Sequence, residues 1–166
     1  MPLPTWDVFI GLIFLVGIAY GFILRRDKTI ATLCSVYIGL VIATNFSQTL
    51  FDFFNGNKVI ANQLWIRSST PLPIIAIILF LISIIFVSGA INSSNNRGGD
   101  ISPIEVFVYS TLTVALIISS VLNFMPEEMR LSFLKSSHVA NLLFRYHSLM
   151  VMIPPISLVV LNFKRK

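Results

Sequence analysis

The sequence predicts an all-α fold, namely a polytopic integral membrane protein with four transmembrane helices. Three observations lead to this fold class. Of the 166 residues, 55% are hydrophobic and only 11% are charged, whereas soluble domains carry about 25% charged residues. Several apolar runs approach the roughly 20 residues that a helix needs to cross a bilayer. The charged residues gather between these runs, which indicates that the chain alternates between lipid and water.

The first two spans are predicted over residues 6–24 and 29–46, separated by Arg25-Arg26-Asp27-Lys28. The first run is apolar on every face, which is typical of a helix surrounded by lipid. One straight helix would bury four charged residues, at about 2.5–3.5 kcal/mol for each Arg, Lys or Asp near the bilayer centre. The chain is therefore expected to fold back among the lipid headgroups. Arg25, Arg26 and Lys28 are the residues expected to determine topology.

Two further spans are predicted over residues 72–91 and 103–125. The fourth begins with Ser102-Pro103-Ile104-Glu105, a capping box with proline at the first helical position. This motif gives Glu105 a structural role, and the less favoured alternative is a role in transport. The hydroxyls of Ser110, Thr113 and Ser120 form a possible polar pore face. Alternatively, they return hydrogen bonds to the backbone or to neighbouring helices.

The remaining segments are predicted to lie at the membrane surface. Residues 47–70 and 127–147 are expected to form interfacial helices. Residues 149–163 are apolar but contain Pro154-Pro155, and adjacent prolines break a helix. This Pro-broken segment is predicted to be re-entrant or surface-lying, and a fifth, kinked span is the alternative. Residues 1–166 then make up a single membrane domain.

Small residues recur at four-residue spacing on the first two spans. Such faces let helix backbones approach closely in lipid, where packing drives association. We expect the two spans to pack against each other within one monomer, and association of several copies is the alternative. The helix-packing residues are Gly17, Gly21, Ser35, Gly39 and Ala43.

Groups that carry chemistry are scattered, so no enzyme is predicted. The known nucleophile, phosphate-binding and metal motifs are absent from the sequence. His138 and His147 are expected to point to opposite sides of a helix, and neither a metal nor a cofactor is predicted. Asp7 suits the positive end of the first helix, with a functional intramembrane acid as the alternative. Cys34 is expected to serve as a small hydrophobic residue.

The net charge of +5 is explained by contacts with anionic lipid headgroups rather than with nucleic acid. No cleavable signal peptide is predicted, so the first run is expected to stay as an anchor. The basic residues on the two sides do not settle the orientation. The short loop beside the first span favours a cytoplasmic position for Lys28. Other membrane proteins, or further copies of the chain, are possible partners.

The amino-terminal third carries a family resemblance. Trp6-Asp7, a long apolar run, Gly21-Phe22, Arg25-Arg26 and a second apolar run ending near Asn45-Phe46 resemble the hairpin of the colicin V production protein family. The resemblance implies a multi-pass protein of the bacterial inner membrane. It also implies an accessory role in toxin production or export, or in envelope function. Two other roles fit the sequence: a small oligomeric channel or transporter, and a structural subunit of a larger membrane complex.

Overall fold

The computed structural model describes residues 6–54, 71–91 and 103–163, and every element in these ranges is an α-helix. Four stretches are long and apolar enough to cross a bilayer, which confirms the predicted all-helical class with four such helices. These stretches are Trp6–Leu24, Asp27–Phe53, Leu72–Ala90 and Pro103–Phe124. The helices are α1 (Trp6–Phe54), α2 (Leu72–Ala90), α3 (Pro103–Phe124), α4 (Glu127–Ser136), α5 (His138–Arg145) and α6 (His147–Phe163).

Helix α1 folds back on itself beside its charged residues. Thr29 Oγ1 donates a hydrogen bond to the Gly21 carbonyl over 3.2 Å, across eight residues. Eight residues of straight α-helix would separate these groups by about 12 Å along the axis. The reversal agrees with the fold-back predicted from the charges. The residues from Trp6 to Phe54 are nevertheless all helical in conformation.

The second half of α1 is longer than predicted. The expected end at residue 46 is wrong, because the helix continues to Phe54. Nothing in the sequence stops it before Asn55-Gly56-Asn57, a strong turn signal. The Gln48 amide also donates to the Asp52 carboxylate, 3.3 Å away and one turn later. Residues 47–54 of the predicted interfacial segment thus continue the helix of the second span. Their placement at the membrane surface stays a prediction, and residues 55–70 lie outside the described part.

Helix α3 lies between two hydrophobic clusters. One cluster joins Leu33 and Val36 of α1 with Phe80 of α2 and Tyr109 and Leu116 of α3. The other joins Ile10 with Ala115 and Leu122 of α3, and adds Ala140 and Leu143 of α5. Both halves of α1 thus pack on α3. Of the four long helical stretches, α3 is the most buried, with 50% of its most apolar part covered.

The three glycines of the predicted helix-packing set lie against α3 or α2, whereas the prediction placed the first two spans against each other through these faces. A Cβ added at Gly17 would lie 2.2 Å from Val114 Cγ2, and one at Gly21 would lie 2.5 Å from Ser110 Cβ. Gly39 instead lies against α2, where an added Cβ would be 3.1 Å from Ile84 Cγ1. Ser35 and Ala43 are fully buried. Two different neighbours use the two faces, because the fold-back turns them toward different helices.

The predicted interfacial helix over residues 127–147 is two helices, so that prediction is corrected. α4 ends at Ser136, Ser137 has an extended backbone, and α5 begins at His138. The Ser137 side chain accepts a hydrogen bond from the Ala140 N–H, the usual arrangement of an N-cap. The helices α5 and α6 meet at an angle of 68°.

The prolines do not break α6, which corrects the expected break at Pro154-Pro155. The re-entrant or surface-lying placement of residues 149–163 stays a prediction, with the fifth, kinked span as its alternative. The helix runs from His147 to Phe163 with Pro154 and Pro155 inside it. Proline removes one helical N–H and so frees the carbonyl four residues earlier. For Pro155 that carbonyl belongs to Val151, and it accepts a hydrogen bond from Tyr37 instead. The helix therefore continues past Pro155 with Tyr37 of α1 as the donor to the Val151 carbonyl.

Candidate functional site

Three polar contacts join α5 and α6 to the long helices. The first involves Asp7 in the first turn of α1. Its carboxylate accepts from the Ser137 hydroxyl at 2.6 Å and from the Val139 N–H at 3.1 Å. Free N–H groups at a helix start attract anions. Asp7 thus completes the start of α5 from another helix.

This contact revises the explanation of Asp7. The sequence assigns its carboxylate to the positive end of its own helix, but the structure directs the carboxylate to the start of α5. The alternative of a functional intramembrane acid is untested. The sequence signal for this contact is Ser137, because serine is a favoured N-cap residue. Ser137 lies within a stretch whose pattern is otherwise helical, so the start of α5 is not evident from the sequence.

The second contact joins α3 to the bend between α5 and α6. His147 Nδ1 lies 3.1 Å from Ser119 Oγ. The Ser119 hydroxyl also donates to the Leu116 carbonyl over 3.2 Å. Ser119 and His147 thus link α3 to the bend between α5 and α6.

The third contact is the one that preserves α6. The Tyr37 hydroxyl lies 2.5 Å from the Val151 carbonyl. Pro154, about two turns after His147 along the same helix, is fully buried. The Val151 carbonyl needs another donor, because residue 155 is a proline without an N–H. Tyr37 supplies it, and the contact also ties α6 to the second half of α1.

The hydroxyls predicted to form a pore face are buried between helices. Ser110 Oγ donates to the Val106 carbonyl at 2.7 Å, and Thr113 Oγ1 donates to the Tyr109 carbonyl at 2.7 Å. Ser120 Oγ is buried and makes no hydrogen bond. None of these residues lines the three cavities of the described part of the chain. Ser110 and Thr113 make the backbone hydrogen bonds of the alternative interpretation, and the pore face stays a prediction.

The arrangement offers little for catalysis within the described residues. Asp7 and His147 contact different serines, so a Ser-His-Asp relay does not form between them. No group of three potential metal-binding side chains occurs in the described ranges. Cys34 is an exposed free thiol on α1. The three polar contacts each join one helix to another.

One of the cavities borders the Asp7 contact, and another is apolar. A cleft of about 630 Å³ opens beside Asp7 and is lined by Lys135, His138 and Asn141, among others. A smaller one of about 290 Å³ lies between α1 and α3 and is apolar, with Val16 and Ile117 among its residues. Of the predicted topology residues, Lys28 is exposed, and the side chains of Arg25 and Arg26 lie outside the described part.

Comparison with known proteins gives no relative. No family model, curated protein or solved structure matches the chain.

Proposed function

We propose that the chain is a multi-pass helical protein of the bacterial inner membrane. One observation carries this proposal: the most apolar helices are also among the least covered. Only 11% of the most apolar stretch of Trp6–Leu24 is buried, and only 17% of the most apolar stretch of Leu72–Ala90. Soluble monomers rarely expose contiguous apolar patches larger than a few hundred Å². Lipid is the solvent that suits such a surface.

Within the membrane, we propose an accessory role of the colicin V production type, in toxin production or export or in envelope function. The resemblance of the amino-terminal third supports this assignment. The chain departs from that family at Tyr20 and in its fourth span, which contains no glycine. The polar contacts of Asp7, Tyr37 and Ser119 support a holding role rather than a catalytic one.

A channel is disfavoured as the proposed role. The hydroxyls of Ser110 and Thr113 are used by their own helix, so a path for solutes would need other polar groups. Liposomes that contain the protein are expected to show no solute flux above that of empty liposomes. Flux that is lost when Ser110, Thr113 and Ser120 are replaced by Leu would overturn this part of the proposal.

Topology reporters test the membrane placement. Fusions or single cysteines at Lys28, Lys58, Asn95 and Lys166 should report Lys58 and Lys166 on one side, with Lys28 and Asn95 on the other. A soluble, monomeric protein in buffer without detergent would contradict membrane insertion. A tail on the side of Lys28 would replace four spans by five.

A deletion strain tests the accessory role. Loss of the gene should lower toxin export or raise sensitivity of the envelope to detergent, and the wild-type gene should restore both. A strain with normal export and a normal envelope would remove the support that the resemblance lends. The topology reporters would still test the membrane placement independently.

A further inference from the structure

A groove lies between the bend of α1 and the end of α2. Its volume is about 500 Å³. Aliphatic side chains form most of its walls, and Lys28 adds one ammonium group where α1 folds back. Hydroxyls of Tyr20, Thr32 and Ser88 also border it. The aliphatic residues are Leu24, Ala31, Ile84, Ile85 and Ile91.

The groove thus has an apolar part and a cationic part. Lys28 is exposed, and lysine can lay its stem along apolar surface while its charge reaches the polar layer. It belongs to the tetrapeptide Arg25-Arg26-Asp27-Lys28, which has three cations and one acid. An amphiphile with one anionic group and a hydrocarbon chain matches this distribution of charge.

We propose that this groove binds one anionic phospholipid. The phosphate lies beside Lys28, and an acyl chain lies along Ile84 and Ile85 on the α2 wall. The inference rests on the proposed membrane location and adds to it a defined lipid site. The negative surface potential of an anionic leaflet attracts basic residues with about 1 kcal/mol for each Lys or Arg near the surface, or about five-fold in affinity.

The partial charges at the helix ends near the groove do not determine whether an anionic or a neutral lipid is preferred. α2 ends at Ala90, and the carbonyl end of a helix is negative. α3 begins at Pro103 at the same end of the bundle, because Gly21 near the bend packs on Ser110 in the third turn of α3. Its positive end offsets the end of α2, so the side chain of Lys28 sets the local preference.

Gly89 provides a way to close the groove without disturbing the helices. It lines the groove, and a Cβ added there would meet nothing within 4 Å. Gly89→Leu should therefore place its side chain in the groove space. Gly11 is the matched control, since a Cβ there also meets nothing within 4 Å and it lies away from this groove.

The test uses the full chain purified in a mild detergent. It is titrated with phosphatidylglycerol or with phosphatidylcholine of the same acyl chains, and native mass spectrometry counts the bound lipids. The wild type should bind one phosphatidylglycerol about five-fold more tightly than phosphatidylcholine. Lys28→Ala should abolish that preference, Lys28→Arg should keep it, and Lys135→Ala on α4 should leave it unchanged. Millimolar inorganic phosphate should not displace the lipid.

Gly89→Leu should weaken binding of both lipids by about ten-fold, while Gly11→Leu binds as the wild type does. Thermal unfolding of each variant checks that the fold is kept. Equal lipid binding by the Lys28→Ala and Lys135→Ala variants, or by the two leucine variants, would overturn the proposal. Loss of thermal stability in Lys28→Ala with unchanged lipid selectivity would assign Lys28 to the end of α2 instead. Each of these results leaves the topology reporters, and hence the membrane placement, unaffected.

Discussion

At the residue scale, the single hydroxyl of Ser137 makes two hydrogen bonds. Its oxygen accepts from the Ala140 N–H at 3.0 Å, and its proton goes to Asp7. The side chain is 1% exposed. Replacing a serine N-cap by alanine costs about 0.5–2 kcal/mol. We expect the cost of Ser137→Ala to lie near the upper end, because the variant also removes one of the two donors to Asp7 Oδ1.

Ser136→Ala is the control, one residue earlier. Ser136 is exposed, and its hydroxyl bonds only to carbonyls of its own helix, Ser132 and Phe133. Its replacement should change the free energy of unfolding by less than about 0.5 kcal/mol. Denaturant titration of the detergent-solubilised protein measures both variants. Equal stability of the two would mean that the Asp7 contact does not hold α5 in place.

At the element scale, α6 is a helix whose continuity depends on a donor from elsewhere. Tyr37→Phe removes the hydroxyl that bonds the Val151 carbonyl. An unsatisfied buried acceptor costs about 1–3 kcal/mol, so the variant should unfold more easily by that amount. Helical content measured by circular dichroism should fall at the same time if the end of α6 frays.

The companion variant Pro155→Ala tests the cause. Alanine restores an N–H four residues after Val151, and that N–H can take over the carbonyl. The Tyr37→Phe substitution should then cost less in the Pro155→Ala background than in the wild type. A difference of about 1 kcal/mol or more in the double-mutant cycle is expected. Additive effects would show that the tyrosine does not compensate for the proline.

The same helix shows what the sequence could and could not predict. Length and hydropathy identify the four long apolar helices, because lipid imposes the same demand on each of them. The prolines of α6 suggest a break, because the compensating hydroxyl lies on α1, 114 residues away in the chain. The Asp7 contact spans a similar distance. A local sequence pattern indicates which hydrogen-bond partner a segment lacks, whereas only the fold shows which distant residue supplies that partner.

At the scale of the whole molecule, close approach between α1 and α3 links the two core clusters. In the proposed membrane location, hydrophobicity would not drive these helices together, so the fit of their surfaces would have to do so. Gly17 is a sensitive point of that fit, since a Cβ there would be 2.2 Å from Val114 Cγ2. Gly11, six residues earlier on the same helix, has open space instead. The same substitution should therefore have opposite effects at the two positions.

Gly17→Ala is expected to destabilise the bundle by about 1–3 kcal/mol through overpacking, whereas Gly11→Ala should stabilise the helix by up to about 1 kcal/mol. Val114→Ala removes the clashing methyl and leaves its Cβ at 3.5 Å from the added atom, an ordinary contact distance. The double variant Gly17→Ala/Val114→Ala should thus be more stable than the sum of the single effects by about 1 kcal/mol. Unfolding in bicelles measures the cycle. Should Gly17→Ala be as well tolerated as Gly11→Ala, the approach of α1 to α3 would be looser than the contact requires, and the arrangement of both clusters around α3 would lose its basis.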